Sequence, residues 1–314
     1  MKCKTALAIG FLILAAVACK KEEEKEETSE YMSGGITIFL PDFVEPGYTI
    51  KADDISDDLY AGGNEIGYIV QDPYTGDRDT AAAFKYSKFL PYTIPDVLGS
   101  FEFICRGCAT GYYNASTTAG YTVVDPKMNG SIKGLGIDVA KDSCTTGRDG
   151  KKYYFMKRDG LDWLMQNVAD ESFGKPYNGY TATTDMFGHF YTREDAGKVC
   201  PEGWRLPTSE EWDGLTAGEI MTDATLNGER MWNLYPEVKI TNAARLCVLP
   251  CGYAEVDEEG EYTFKGFKSY AIFWTSSECN GKPAYKCIYE GMNEITTLVA
   301  SDNKSFAASV RCVR

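Results

Sequence analysis

Cys200-Pro201-Glu202-Gly203-Trp204-Arg205-Leu206-Pro207-Thr208-Ser209-Glu210-Glu211-Trp212 decides how the second half of the sequence is read. Thr208-Ser209-Glu210-Glu211 has the form of a capping box, in which the threonine hydroxyl accepts from the amide three residues on and the glutamate reaches back. A helix is predicted to start there and to carry Trp212 and Leu215 inward, with Pro207 ending what precedes it. Upstream, Thr192-Arg193-Glu194-Asp195 is a second start signal, for a short helix ending near Cys200-Pro201. Downstream, aromatic and polar residues alternate in short runs, notably Tyr285 to Tyr289 and Ser309 to Val313, and read as antiparallel strands. Two helices followed by a strand-rich tail predict an α+β unit.

Motifs around this stretch add a resemblance. Arg148-Asp149-Gly150-Lys151-Lys152-Tyr153-Tyr154 is followed by Gly160-Leu161-Asp162-Trp163-Leu164-Met165-Gln166-Asn167, by Phe187-Gly188-His189-Phe190-Tyr191 and by Ala196. After the Cys200–Trp212 stretch come Phe273-Trp274-Thr275-Ser276-Ser277 and Ser309-Val310-Arg311-Cys312-Val313-Arg314. In order and spacing these resemble the Fibrobacter succinogenes major paralogous domain family, which opens on a D-G-x-x-Y hairpin and a G-x-x-W-(M/L)-x-x-N strand. The resemblance implies a C-type-lectin-like fold. So does the likeness of Arg205-Leu206-Pro207-Thr208-x-x-Glu211-Trp212 to the R-L-P-T-E-x-E-W segment of formylglycine-generating enzymes, which share that fold. In C-type-lectin-like domains a cysteine of the first helix pairs with one of the final strand, and Cys200 and Cys312 occupy those places. Cys279 with Cys287 and Cys247 with Cys251 are further candidate pairs, because sequence alone does not fix connectivity.

Before this module the texture changes. Short runs at Ile36–Phe39, Tyr48–Lys51, Ile66–Val70, Ser100–Ile104 and Tyr121–Val124 alternate with turn signals such as Pro46-Gly47, Gly62-Gly63-Asn64, Asp72-Pro73 and Gly76-Asp77. Evenly spaced short strands without helix-period segments predict a β-sandwich. Pro46-Gly47-Tyr48-Thr49-Ile50, Gly99-Ser100-Phe101-Glu102-Phe103 and Tyr121-Thr122-Val123-Val124-Asp125 resemble strands of bacterial immunoglobulin-like or PKD-like repeats. The expected organisation is multi-domain: an all-β Ig-like sandwich over 35–126, a linker over 127–136, and the α+β C-type-lectin-like domain over 137–314.

At the N-terminus Lys2 and Lys4 precede an apolar run, Thr5 to Ala18, that is short for a membrane span and fits a secretory signal. Ala16-Val17-Ala18-Cys19 resembles a bacterial lipobox, which implies a signal peptide over 1–18 and lipid on Cys19. Lys20-Lys21-Glu22-Glu23-Glu24-Lys25-Glu26-Glu27 holds no apolar residue and reads as part of a disordered tether over 19–34. Its acidity resembles export signals of Bacteroidetes-type lipoproteins, so surface display stands beside a periplasm-facing position on the outer membrane.

The formal charge of -14, with no basic block, argues against nucleic acid as a partner. Of the eleven cysteines, Cys3 leaves with the signal and Cys19 takes lipid, and export favours disulfides among the odd remainder. Cys105-x-x-Cys108 has the spacing of half a zinc site, but no second such pair exists and His189 is the single histidine. No metal or cofactor is therefore expected. His189 reads as structural within its aromatic segment, and Asp257, Glu258 and Glu259 as a solvated turn beside Gly260. The calcium-gripping triplets of sugar-binding lectins are missing after Trp274, and Cys247 and Cys251 sit upstream of the place where formylglycine-generating enzymes hold copper.

What remains is recognition. In relatives of the fold the ligand face lies between the W-x-S-S strand and the terminal V-R strand, which here holds Glu278, Asn280, Tyr285, Tyr289, Asn293, Asn303 and Phe306. Aromatic platforms mixed with adaptable amides suit protein or glycan surfaces. The expectation is a non-enzymatic, lipid-anchored binding or adhesion protein for a protein or glycan ligand, independent of calcium. A structural envelope protein without a ligand and a formylglycine-type oxidoreductase are the alternatives.

Overall fold

The computed structural model describes residues 29–71, 83–85, 92–125, 132–179, 183–233 and 238–314. The segment read as a signal peptide, Cys19, the expected tether up to Thr28, the turn signals at Asp72-Pro73 and Gly76-Asp77, and the expected linker up to Ser131 lie outside them. The described chain is mostly β, in several small sheets, with helices of only four residues such as Arg193–Ala196 and Ser209–Trp212. No helix among the described residues is long and apolar enough to cross a membrane.

The chain divides into two compact units. The first takes the described residues up to Leu40 with those of Gly47–Ile94 and Phe101–Tyr121; the second takes Pro41–Pro46, Pro95–Ser100 and Thr122–Arg314. In the first, Gly67–Gln71 pairs antiparallel with Ala83–Lys85 and with the long strand Gly99–Cys108. Alternation along these strands buries Tyr68, Val70, Phe103 and Cys105, and Ile50, Leu59 and Ile66 are buried as well. Cys105 and Cys108 share one strand. Three residues of strand place their thiols on opposite faces and about 10 Å apart, beyond disulfide reach and wrong for two ligands of one metal.

In the second unit the Asp149-Gly150 turn joins Ser143–Thr146 to Lys152–Arg158, which pairs in turn with Leu161–Leu164. A four-stranded sheet runs in the order Tyr191–Thr192, Phe306–Ala308, Tyr253–Val256, Tyr262–Lys265. A three-stranded sheet holds Tyr270–Cys279, Lys282–Tyr289 and Thr296–Val299. The capping box at Thr208 is complete: Glu211 N donates to Thr208 Oγ1 (3.3 Å) and Thr208 N to Glu211 Oε2 (2.7 Å). Trp212 and Leu215 are buried, as the sequence predicts.

Four expectations need correction. Residues 29–34, expected within the disordered tether, include the strand Glu30–Tyr31, paired with Tyr112–Tyr113, and Ser33 bridged to Tyr60. The helix at Arg193 stops at Ala196, so Cys200 lies in a bend beyond it; Gly197 is a poor helix former and Pro201 follows closely. Ser309–Val313 is an extended thread rather than a regular strand, bridged at Ser309 to Phe273 and at Val313 to both Trp163 and Arg205. Residues 132–136 are folded rather than linking: Ile132–Lys133 pairs with Thr225–Leu226, and Thr222 Oγ1 donates to Gly134 O (2.9 Å).

The resembling motifs meet in the core. Trp163 packs edge-on to Trp212 (5.1 Å), which stacks on Phe273 (5.3 Å). Buried Arg311 donates from Nε to Asn167 Oδ1 (2.7 Å) and from Nη1 to the carbonyls of Leu164 (3.0 Å) and Leu246, with its guanidinium over Phe273. Gly188 has φ 70°, and a Cβ there would stand 2.5 Å from Val168 O, so only glycine lets His189 N reach that carbonyl (2.9 Å). Cys200 and Cys312 are joined by a disulfide across a separation of 112 residues.

A third core holds Phe43, Val124, Tyr177, Phe187 and Phe190. Burial, helped by Asp42 against Tyr177, keeps the hydroxyls of Tyr177, Tyr191 and Tyr153 protonated far above the ordinary tyrosine range, and burial pushes Tyr262 up to about 12. Acids with raised native pKa hold more protons folded than unfolded once pH passes about 10. Their stabilisation is whole below that pH and is lost as pH climbs through the native values. Alkaline titration should therefore show tyrosinate absorbance jumping together with loss of near-ultraviolet dichroism above pH about 10. Smooth ionisation of all the tyrosines with dichroism intact would contradict this packing.

Candidate binding face

Alternation along Lys282–Tyr289 points Tyr285, Cys287 and Tyr289 to one face and Ala284, Lys286 and Ile288 to the other, which is buried. Across the pair, Trp274 stands opposite Tyr285, Ile272 opposite Cys287 and Tyr270 opposite Tyr289. The adjoining sheet adds Tyr253 and Phe306 on the same side, packed against the same core as these residues.

The rings form a continuous row. Tyr289 stacks on Tyr270 (4.9 Å, 26°), Tyr270 meets Tyr253 edge-on (6.4 Å), Tyr253 leans on Phe306 (5.4 Å), and Phe306 stacks on Tyr285 (4.9 Å, 25°). Buried Trp274 supports Tyr285 and Phe306 edge-on and donates from Nε1 to Tyr191 O (2.7 Å). All five outer rings are half-buried. Stacking in the Tyr289–Tyr270 and Phe306–Tyr285 pairs spends one face of each of those rings on a neighbour. Burial, then the neighbouring Cys287, raises the pKa of both Tyr270 and Tyr285.

Of the seven residues named from sequence, Tyr285, Tyr289 and Phe306 lie in this row. Glu278 and Asn280 are exposed at the far, hairpin end of the Tyr270–Cys279 strand. Asn293 is occupied elsewhere: its Oδ1 accepts from Gly218 N (2.9 Å) and its carbonyl from Ala217 N (2.9 Å), so it anchors the Ala217–Ile220 helix. Asn303 is exposed in a turn fixed by Asp302, whose Oδ1 accepts from Lys304 N and Ser305 N (both 2.7 Å). Those amide bonds hold the Asp302 carboxyl down at about 2. Tyr253 and Tyr270 were missed. Two-residue periodicity through Tyr270, Ile272 and Trp274 would have found the second; Tyr253 arrives through the long-range pairing of Ala254 with Ala307, which leaves no local signal.

The face offers tyrosines and one thiol, raised in pKa by burial, and no paired acid and base. His189 is 3% exposed, with burial first lowering its pKa, so it cannot serve an accessible substrate as base. Asp257 accepts from Glu261 N (2.7 Å) within an exposed hairpin turn. Among the described residues no group of three or more His, Cys, Asp or Glu could hold a metal ion.

The other proposed cysteine pairs are unbridged. Cys279 stands opposite Lys282 and Cys287 opposite Ile272, seven residues back along one strand, far outside disulfide reach. Cys251 Sγ contacts Ser309 Oγ (3.3 Å) and Asn167 Nδ2 (3.6 Å), whereas Cys247 Sγ is held by Asn242 Nδ2 (3.4 Å). Burial raises the pKa of both thiols and of Cys105, the last to about 11. Iodoacetamide applied to the native protein should modify exposed Cys144 and Cys279 first and reach Cys105, Cys247 and Cys251 only after unfolding. Peptide mass spectrometry reads the order, and early labelling of Cys251 would refute it.

No curated protein and no solved structure matches the chain. The family model for the Fibrobacter succinogenes major domain matches residues 144–314, which takes in every motif that meets in the core and the whole aromatic row. The match spans more than half of the sequence, and the chain belongs to that family.

Proposed function

We propose that this chain is a non-enzymatic binding or adhesion lipoprotein of the bacterial cell surface, with an Ig-like sandwich carrying a C-type-lectin-like domain that recognises a protein or glycan ligand without calcium. The observation that carries the reading is the row Tyr289, Tyr270, Tyr253, Phe306, Tyr285: five rings ordered by one another, half-open to solvent, with no catalytic pair beside them. Rigid aromatic side chains give large contact area at small entropic cost, which suits recognition more than chemistry. Lipid on Cys19, after removal of 1–18, supplies the membrane attachment in this reading.

Glycan and protein arrays probed with the protein test it. A captured ligand should be lost in Tyr285→Ala and Tyr289→Ala and kept in Asp257→Ala. Each tyrosine replacement should cost only about 1–2 kcal/mol of stability, the scale of a lost stacked pair plus partial burial. Capture unaffected by both tyrosine changes would reject the face, and an unmodified thiol at Cys19 in the intact mass would reject the anchor.

A further inference from the structure

A second aromatic surface lies in the N-terminal unit, where the sequence suggests no chemistry. Glu30–Tyr31 pairs in parallel with Tyr112–Tyr113, so Tyr31 stands beside Tyr113, with ring centroids 4.9 Å apart at 35°. Ser33, two residues on, bridges to Tyr60. Strand alternation then puts Tyr31, Tyr113, Ser33 and Tyr60 on one face. Tyr31, Tyr60 and Tyr113 are 83%, 62% and 51% exposed, whereas Leu59 and Ala61 beside Tyr60 are buried. Tyr60 also walls an open hollow of about 330 Å³ that includes Asn64, Glu65 and Ile66.

A cross-strand pair stabilising a two-residue ladder would account for Tyr31 and Tyr113. It leaves the third exposed ring unexplained, and so large an exposure of Tyr31 means its outer ring face meets solvent. Charge narrows the choice of occupant. The segments that build the face, 29–33, 58–66 and 110–114, contain no lysine or arginine; Asp58, two residues before Tyr60, takes the same side with its carboxylate accepting from Gly35 N (2.6 Å), Glu65 lines the hollow, and Glu30 alternates to the other side. Aromatic ring faces and carboxylates both attract cations, and guanidinium groups stack on tyrosine best of all side-chain cations. We infer that the Tyr31–Tyr113–Tyr60 face docks an arginine-bearing, basic polypeptide segment, independently of the aromatic row in the C-terminal unit.

The test uses the full-length protein with a peptide of alternating arginine and glycine, and the same peptide with citrulline in place of arginine. Binding should be measurable by titration calorimetry, should weaken with salt, and should fail for the citrulline peptide. Tyr31→Ala/Tyr113→Ala and, separately, Tyr60→Ala should weaken it about tenfold and about threefold, as expected from exposed cation–aromatic contacts. Phe39→Ala, which removes another exposed ring, should leave it unchanged. Tyr60→Ala lies outside the Tyr31–Tyr113 ladder and keeps the test valid should the double variant unfold. Equal binding of both peptides, insensitivity to all three tyrosine changes, or no binding of the arginine peptide overturns the inference. Tyrosine-dependent binding of neutral oligosaccharides, or of phosphatidylethanolamine vesicles, in place of the peptide would reassign the face to a glycan or a lipid surface and overturn it equally.

Discussion

Removal of the Cys200–Cys312 bridge by the double replacement Cys200→Ala/Cys312→Ala is expected to cost about 4–5 kcal/mol, the loop-entropy value for closing roughly a hundred residues. The physical reason is the 112-residue separation: without the bond, the unfolded chain regains the freedom of that whole loop. The bond also pins the terminal thread. Leu164 N donates to Cys312 O (3.0 Å), Arg205 N to Val313 O (2.9 Å) and Val168 N to Val310 O (3.0 Å), so the Leu164–Val168 stretch and the segment at Arg205 take their place from it. Guanidinium denaturation of the C-terminal unit with and without reductant is the measurement. A midpoint indifferent to reductant would show that the bridge carries no stability.

Arg311→Met should be nearly as damaging, at about 3 kcal/mol or more. Arg311 is 2% exposed, and burial, offset in part by the thiols of Cys247 and Cys251, lowers its pKa to about 10, which still leaves it charged at neutral pH. The residue holds Asn167 Oδ1 and the carbonyls of Leu164 and Leu246 at once. Methionine fills much of the volume but strands all three acceptors in the core, each at a cost of about 1–3 kcal/mol, partly offset by no longer burying a charge. Lysine keeps the charge yet lacks the planar fork, so Arg311→Lys should rescue little. Denaturation midpoints for the two variants decide it; wild-type stability in Arg311→Met would mean that the guanidinium is dispensable. Because Arg311 and Cys312 are neighbours on one thread, their losses should not add.

Local chemistry was readable from sequence and long-range partnership was not, save the Cys200–Cys312 bond that the family resemblance implied. The Thr208–Glu211 cap was legible because both of its bonds close within four residues, and the strands near Ile36, Ile66, Ser100 and Tyr285 because period-two burial is written along each. The terminal Ser309–Val313 alternates like a strand but serves three neighbours by single bridges, a distinction that only the packed partners make. In the candidate binding face, Tyr285, Tyr289 and Phe306 came from the family resemblance, while Asn293 misled because an exposed-looking amide gives no sign that a helix two sheets away in sequence needs its oxygen. Tyr60 and Tyr113 were invisible as a pair with Tyr31, since three separate stretches of chain meet there.

Phe43 and Val124 help close a core otherwise built from residues beyond 134, with Phe43 ringed by Tyr177, Phe187 and Phe267. The C-terminal half is therefore not a free cassette. A gene fusion cut at the glycine-rich stretch after Pro126 would discard that ring and the Asp42 carboxylate that meets Tyr177 Oη (2.5 Å). Recombination that moves this module between proteins intact has to carry along two short stretches of what precedes it, so inheritance of the whole chain as one gene unit is the course that its packing favours.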